Sequence, residues 1–151
     1  IAVVSSDILE WSTTKEAGQL TFYIEQFKWQ RWIVVGEVDG EGIPGQNHYH
    51  FHLTPHSGEN KVRIYQKDFT KEKRHSKAVS FKTAFEVVKC QRITAEKKFL
   101  FSMPTSYEVH DYENNIFIKG YGSELDYSYL PKGPYYLYYD NTSSSFAVIT
   151  E

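Results

Sequence analysis

The chain has 151 residues, 40% of them hydrophobic and 17% aromatic, with 17 Lys and Arg against 19 Asp and Glu. That apolar content supports a packed core and excludes a disordered chain. A net charge of −2 gives no field that would recruit nucleic acid or an anionic membrane. Cys90 is the only cysteine, which excludes an intramolecular disulfide and a zinc cluster built from cysteines. No apolar run approaches the length of a membrane-spanning helix. The chain opens IAVVSS without an initiator Met, as a mature exported protein or an excised fragment would.

Twelve Tyr, ten Phe and three Trp favour pleated, half-buried surfaces, and segments of period 2 recur along the chain between turn signals. DILEWSTT (7–14) puts Leu9, Trp11 and Thr13 on one face. LTFYIEQF (20–27) sets Phe22 and Ile24 against Tyr23 and Glu25. WIVVGEV (32–38) is closed by the Gly/Pro turn DGEGIPG (39–45). NHYHFHL (47–53), KVRIYQKDF (61–69) and HSKAVSF (75–81) complete a first set of six strands. A second set of seven follows: FEVVK (85–89), KFLFS (98–102), SYEVHD (106–111), NIFIK (115–119), ELDYS (124–128), PYYLYYD (134–140) and SFAVIT (145–150). Thirteen short strands are too many for one small sandwich and right for two. The expected fold is all-β, two consecutive immunoglobulin/fibronectin-like β-sandwich domains, residues 1–82 and 83–151, dividing near Lys82–Ala84.

Several segments carry a resemblance. LEWSTTKE (9–16), FYIEQF (22–27), WIVVGEVDGEG (32–42), HFHLTPHSGENKVRIYQKDF (50–69) and HSKAVSF (75–81) together resemble a fibronectin type III-like module of secreted Bacteroidota proteins. In the second half, Tyr107, Val109 and Asp111, then Lys119-Gly120, then Asp126, Ser128, Leu130, Gly133, Tyr135 and Leu137 are similar to the pattern of the C-terminal sorting domain of type IX secretion. The resemblance implies export and a domain whose surface is read by secretion machinery, with no catalytic group. Two features depart from the family: KTAFEVVKCQ replaces its Tyr-Pro-Asn-Pro opening, and FAVITE replaces its lysine-rich tail. A sorting-like domain without the signal is therefore the other reading of this half. Beneath the motif the residues read as folding residues. Tyr107 and Val109 are apolar on one strand face, ENN (113–115) can turn tightly because Asn tolerates positive φ, Leu130 is an anchor, and Gly133 stands where a Cβ would clash.

Candidate binding residues are few. His48, His50 and His52 alternate in NHYHFHLTPH, and residues two apart on a strand point the same way about 6.5–7 Å apart. Two such histidines can share a zinc ion if a third ligand arrives; His56, His75, Asp68 and Glu59 are candidates. The competing reading has Tyr49, Phe51 and Leu53 filling a core while the histidines face solvent, where they can also titrate near neutral pH. Tyr135, Tyr136, Tyr138 and Tyr139 can stack against a glycan if exposed, although alternation sends two of them inward. Trp29 and Trp32 flank Gln30-Arg31, a turn composed like an interface hot spot, with domain packing as the alternative. The basic run KEKRHSK (71–77) reads as a solvated turn, and Asn141-Thr142-Ser143 is a glycosylation sequon by pattern. Asp111 and Glu113 lie beside a turn, where solvated acids are ordinary. No nucleophile elbow, phosphate loop or HExxH motif appears.

These observations imply a non-enzymatic exported structural or interaction module of the envelope or cell surface. It would act as an accessory subunit through protein partners, among them type IX machinery or a larger assembly, without nucleic acid or a membrane-spanning segment. No catalytic, cofactor or metal residue is assigned. The alternative is a ligand-binding module, for metal through His48, His50 and His52 or for glycan through exposed tyrosines.

Overall fold

The computed structural model describes residues 2–3, 7–16 and 18–149. Almost all of their regular structure is strand; the only helical turn among them is a 3-10 turn, Thr94–Glu96. The chain divides into two compact units, one of Ile1–Pro55 with Glu59–Thr83, the other of His56–Gly58 with Ala84–Glu151.

Unit 1 contains β1 (Ala2–Val3), β2 (Ile8–Thr13), β3 (Thr21–Lys28), β4 (Arg31–Asp39), β5 (Asn47–His52), β6 (Glu59–Lys67), β7 (Lys73–His75) and β8 (Val79–Lys82). One sheet runs β1-β2-β5; the other runs β4-β3-β6, with β7 and β8 both paired to β6. Alternation does the sorting here. Leu9, Trp11, Tyr49 and Leu53 of the first sheet meet Phe22, Ile24, Val62 and Ile64 of the second in one buried cluster. Trp11 lies edge-on to Phe22 at 5.5 Å and stacks on Tyr49 at 5.6 Å. Each large side chain buried this way contributes about 1.5–3 kcal/mol. The two sheets approach closely at Gly36, where a Cβ would fall 2.3 Å from the Phe51 ring.

The single strand expected at 75–81 is instead two. The Ile64 N–H is taken by the Ser76 hydroxyl at 3.0 Å while the Ser76 N–H returns to the Ile64 carbonyl. A side chain thus stands in for a backbone acceptor, and the ladder breaks between β7 and β8. The loops beside β5 are gathered by Glu16. Its carboxylate accepts from Asn47 Nδ2 (2.6 Å), Thr13 Oγ1 (2.7 Å), the Tyr49 hydroxyl (2.7 Å) and the Gly42 N–H (3.3 Å). Burial opposes the Glu16 charge, but the bonds from Tyr49, Thr13, Gly42 and Asn47 together outweigh it and hold this carboxyl below the ordinary range.

Unit 2 corrects the expected seven strands to five: β9 (Cys90–Ile93), β10 (Lys98–Asp111), β11 (Ile116–Asp126), β12 (Gly133–Tyr139) and β13 (Thr142–Val148). They form one sheet, β11-β10-β12-β13, with β9 on the first part of β10. Residues 85–89 form no strand, although Val88 is buried. The segments 98–102 and 106–111 belong to one strand. Pro104 lies in a register irregularity between Leu100 and Thr105, where no ladder N–H is required of it. The segments 115–119 and 124–128 fuse likewise through Gly120. A Cβ there would fall 2.7 Å from the Tyr107 hydroxyl, so the ring of one strand lies over the glycine of its neighbour. Phe99 and Phe101 from one end of β10 share a core with Val109 from the other end, and with Ile118, Leu125, Tyr135 and Leu137. One long-stranded sheet therefore curls to enclose its own core.

Candidate functional site

The histidine strand β5 pairs with β2 in a register that sets Ser12 opposite His48, Glu10 opposite His50 and Ile8 opposite His52. Tyr49 and Leu53 are buried, Phe51 packs against the same cluster, and all three histidines are exposed. Backbone parity sharpens the picture. The Leu53 N–H donates to the Asp7 carbonyl at 2.6 Å, so Asp7/Leu53 is a hydrogen-bonded pair. Antiparallel alternation then makes Ile8/His52, Glu10/His50 and Ser12/His48 the non-bonded pairs, whose side chains lie closest. The backbone groups of these histidines consequently point to the free edge of the sheet. Glu10, Ser12, His48 and His50 line a shallow groove of about 480 Å³.

Of the four suggested third ligands, the three in unit 1 do not come to this face. His75 stands beside Tyr65 and 3.6 Å from Glu25. Asp68 accepts from Thr70 and Glu72 within its own turn. Glu59 lies on β6 of the other sheet, opposite Lys82. His56 belongs to unit 2, with Nδ1 2.7 Å from the Ser57 carbonyl. Among the described residues no three His, Cys, Asp or Glu side chains assemble as a metal-holding group. Glu10 is the residue that sequence reading missed; only the β2/β5 register reveals it.

The tyrosines divide as alternation requires. Tyr135 is buried, its hydroxyl donating to the Pro131 carbonyl at 2.6 Å, and Tyr139 packs against the same core. Tyr136 and Tyr138 take the other face, where Tyr136 stacks on Tyr112 at 4.6 Å. Each ring of that pair already covers one face of its neighbour. The Trp29-Gln30 turn has positive φ at both residues, 55° and 65°, the two-residue hairpin form that usually selects Asn and Gly. Trp29 is buried with the Lys28 Nζ 4.4 Å from its ring; Trp32 is half-buried between Phe27 and the Arg63 guanidinium, the latter at 4.1 Å. Neither indole is exposed.

Most motif positions of unit 2 occupy a structural post; Lys119 is exposed. Val109 and Leu137 are completely buried cross-strand partners. Asp111 closes the β10–β11 turn by accepting from the N–H groups of Glu113 and Asn115 and from Asn115 Nδ2, all at 2.9 Å. The Asn115 side chain and backbone, then Glu113, hold its carboxyl below the ordinary range. Asn114 in that turn has φ 66°. Asp126 accepts from the Ser128 N–H, and Leu130 enters the core. Gly133 departs from expectation: no atom lies within 4 Å of where its Cβ would point, and a φ of 155° is what suits it to glycine. No known protein family matches this chain, and neither a curated protein nor a solved structure matches it.

Proposed function

We propose that the chain is a non-enzymatic exported module of the envelope or cell surface, working through protein contacts as an accessory subunit. In this reading its two units are consecutive immunoglobulin/fibronectin-like domains, the second with its single sheet folded over into a sandwich-like form, and that second unit is a sorting-like or docking domain of the type IX kind. The observation that carries it is the use of the motif residues. Tyr107 over Gly120, the Asp111 turn, the Asp126–Ser128 turn, Leu130 and Leu137 all serve to build one small β unit. A domain read by its surface needs such a framework and no catalytic group. The layout of unit 1, three strands in one sheet and five in the other with β7 and β8 both along the β6 edge, supports the fibronectin-like part of the reading.

The test is a reporter carried ahead of the whole chain, behind a general export leader, in a host with type IX secretion. The reading expects the reporter on the cell surface or in the medium, and loss of that display when the machinery is deleted. Retention in the periplasm of the competent host contradicts the sorting role.

A further inference from the structure

The last strand of unit 2 carries an inference that goes beyond that reading and does not depend on export. β13 ends its sheet, and its ladder with β12 runs without a break from Gly133↔Val148 to Tyr139↔Thr142. Pro134, opposite Ala147, decides which backbone groups are left over. It has no N–H, so Pro134/Ala147 suits only a non-hydrogen-bonded pair. The Ala147 carbonyl agrees, because it accepts from Arg92 Nη2 at 2.8 Å and so faces away from β12. Alternation makes Tyr136/Ser145 and Tyr138/Ser143 non-bonded as well. The backbone N–H and C=O of Ser143, Ser145 and Ala147 therefore point outward, and all three residues are exposed.

Edges of this kind are normally blunted by charge, proline or a bulge. Residues 142–148 contain no charged residue and no proline, and the register has no shift. Nothing in TSSSFAV supplies a charge pattern that would select a different chain, whereas the strand is complementary to itself. We propose that two copies of this protein pair their β13 strands antiparallel about a two-fold axis at Ser145. Ser145 then meets Ser145 of the second copy and exchanges both of its outward backbone bonds, and Ser143 meets Ala147, whose N–H is open and whose carbonyl takes the Ser143 N–H on its second lone pair beside the bond from Arg92. On the other face Phe146 and Val148, both half-buried, come beside Ser144 and Thr142 of the second copy. Arg92 sits at the Ala147 end, so the two guanidiniums lie at opposite ends of the paired strands and do not oppose each other. A closed two-fold contact of this kind is the commonest way that chains self-associate.

Sedimentation velocity on the purified chain, from micromolar to millimolar concentration, tests this directly. The wild type is expected to shift from monomer to dimer. Ser145→Pro removes an outward N–H that the native ladder does not use, so the far-ultraviolet spectrum and melting midpoint should hold while the dimer disappears. Should that variant fold poorly, Ser145→Lys and Ser145→Asp leave the backbone untouched. Each alone should weaken the dimer by about fivefold through like charges placed directly opposite, and an equimolar mixture of the two should restore it. A wild type that stays monomeric, a Ser145→Pro protein that dimerises like the wild type, or a mixture no stronger than its components overturns the proposal.

Discussion

Two strands end their sheets in the same geometric way and present opposite chemistry. β5 in unit 1 and β13 in unit 2 each leave the backbone of alternate residues facing outward: His48, His50 and His52 in one, Ser143, Ser145 and Ala147 in the other. β5 sets three imidazoles beside its open backbone, polar rings that crowd the approach of a second strand. β13 sets only small side chains there, with the Arg92 guanidinium at its Ala147 end. Whether an edge recruits a partner thus depends on what the side chains beside the open backbone can do, and not on the open backbone alone. The units around these edges differ too. Unit 1 makes its core between two sheets, whereas unit 2 makes one by curling a single sheet whose β10 spans Lys98–Asp111.

The largest expected effects test whether those two cores are equally built. Leu9 and Leu137 are each 0% exposed, and truncation of either to alanine should cost about 2–5 kcal/mol. All three tryptophans lie in unit 1, so indole emission in a urea melt reports Leu9→Ala, and amide exchange across β12 reports Leu137→Ala. A cost under about 1 kcal/mol at one site would show that its core tolerates collapse.

Glycine contacts separate the units next. A Cβ at Gly40 would fall 2.4 Å from the Leu20 carbonyl, a backbone atom, while one at Gly120 meets the Tyr107 ring. Gly40→Ala should lower stability by about 3 kcal/mol and Gly120→Ala by about 1, because a ring can swing and a strand cannot. Chemical denaturation of the two variants checks the order, and the reverse order contradicts it.

Acid sensitivity comes third. Glu16 is held below its ordinary range when folded. Its contribution is therefore complete above the unfolded value, about 4.3, and is lost as pH falls through the lower folded value. Glu16→Gln should flatten the decline in melting temperature below that pH and lower stability at neutral pH. An unchanged acid limb contradicts the role given to the Glu16 bonds. The smallest effect is a gain: Gln30→Gly relieves a positive φ of 65° and should stabilise the protein by up to about 1 kcal/mol, read as a higher melting midpoint.

What was legible in the sequence followed from local alternation. NHYHFHL sorted its own faces, as did Leu9 with Trp11, because a half-buried strand writes its burial at period 2; Glu108 and His110, buried on the face opposite Val109, broke that rule. Strand continuity was less legible. Pro104 and the glycines at 120 and 122 look like punctuation, but Pro104 falls in a register irregularity and Gly120 lies under a tyrosine, so β10 and β11 run through them. CQRI (90–93) hides a strand in a polar stretch, because it owes its place to pairing with β10. The Glu16 centre, the Glu10/His50 pair and both open edges depend on residues far apart in the chain. Only topology and register bring them together.

The most direct measurement is amide hydrogen exchange on the wild-type chain at low and high protein concentration, resolved at the two edges. The account predicts that exchange at Ser143, Ser145 and Ala147 slows as concentration rises, while His48, His50 and His52 stay unchanged. Concentration-independent exchange at β13, or slowing at β5 instead, would contradict it.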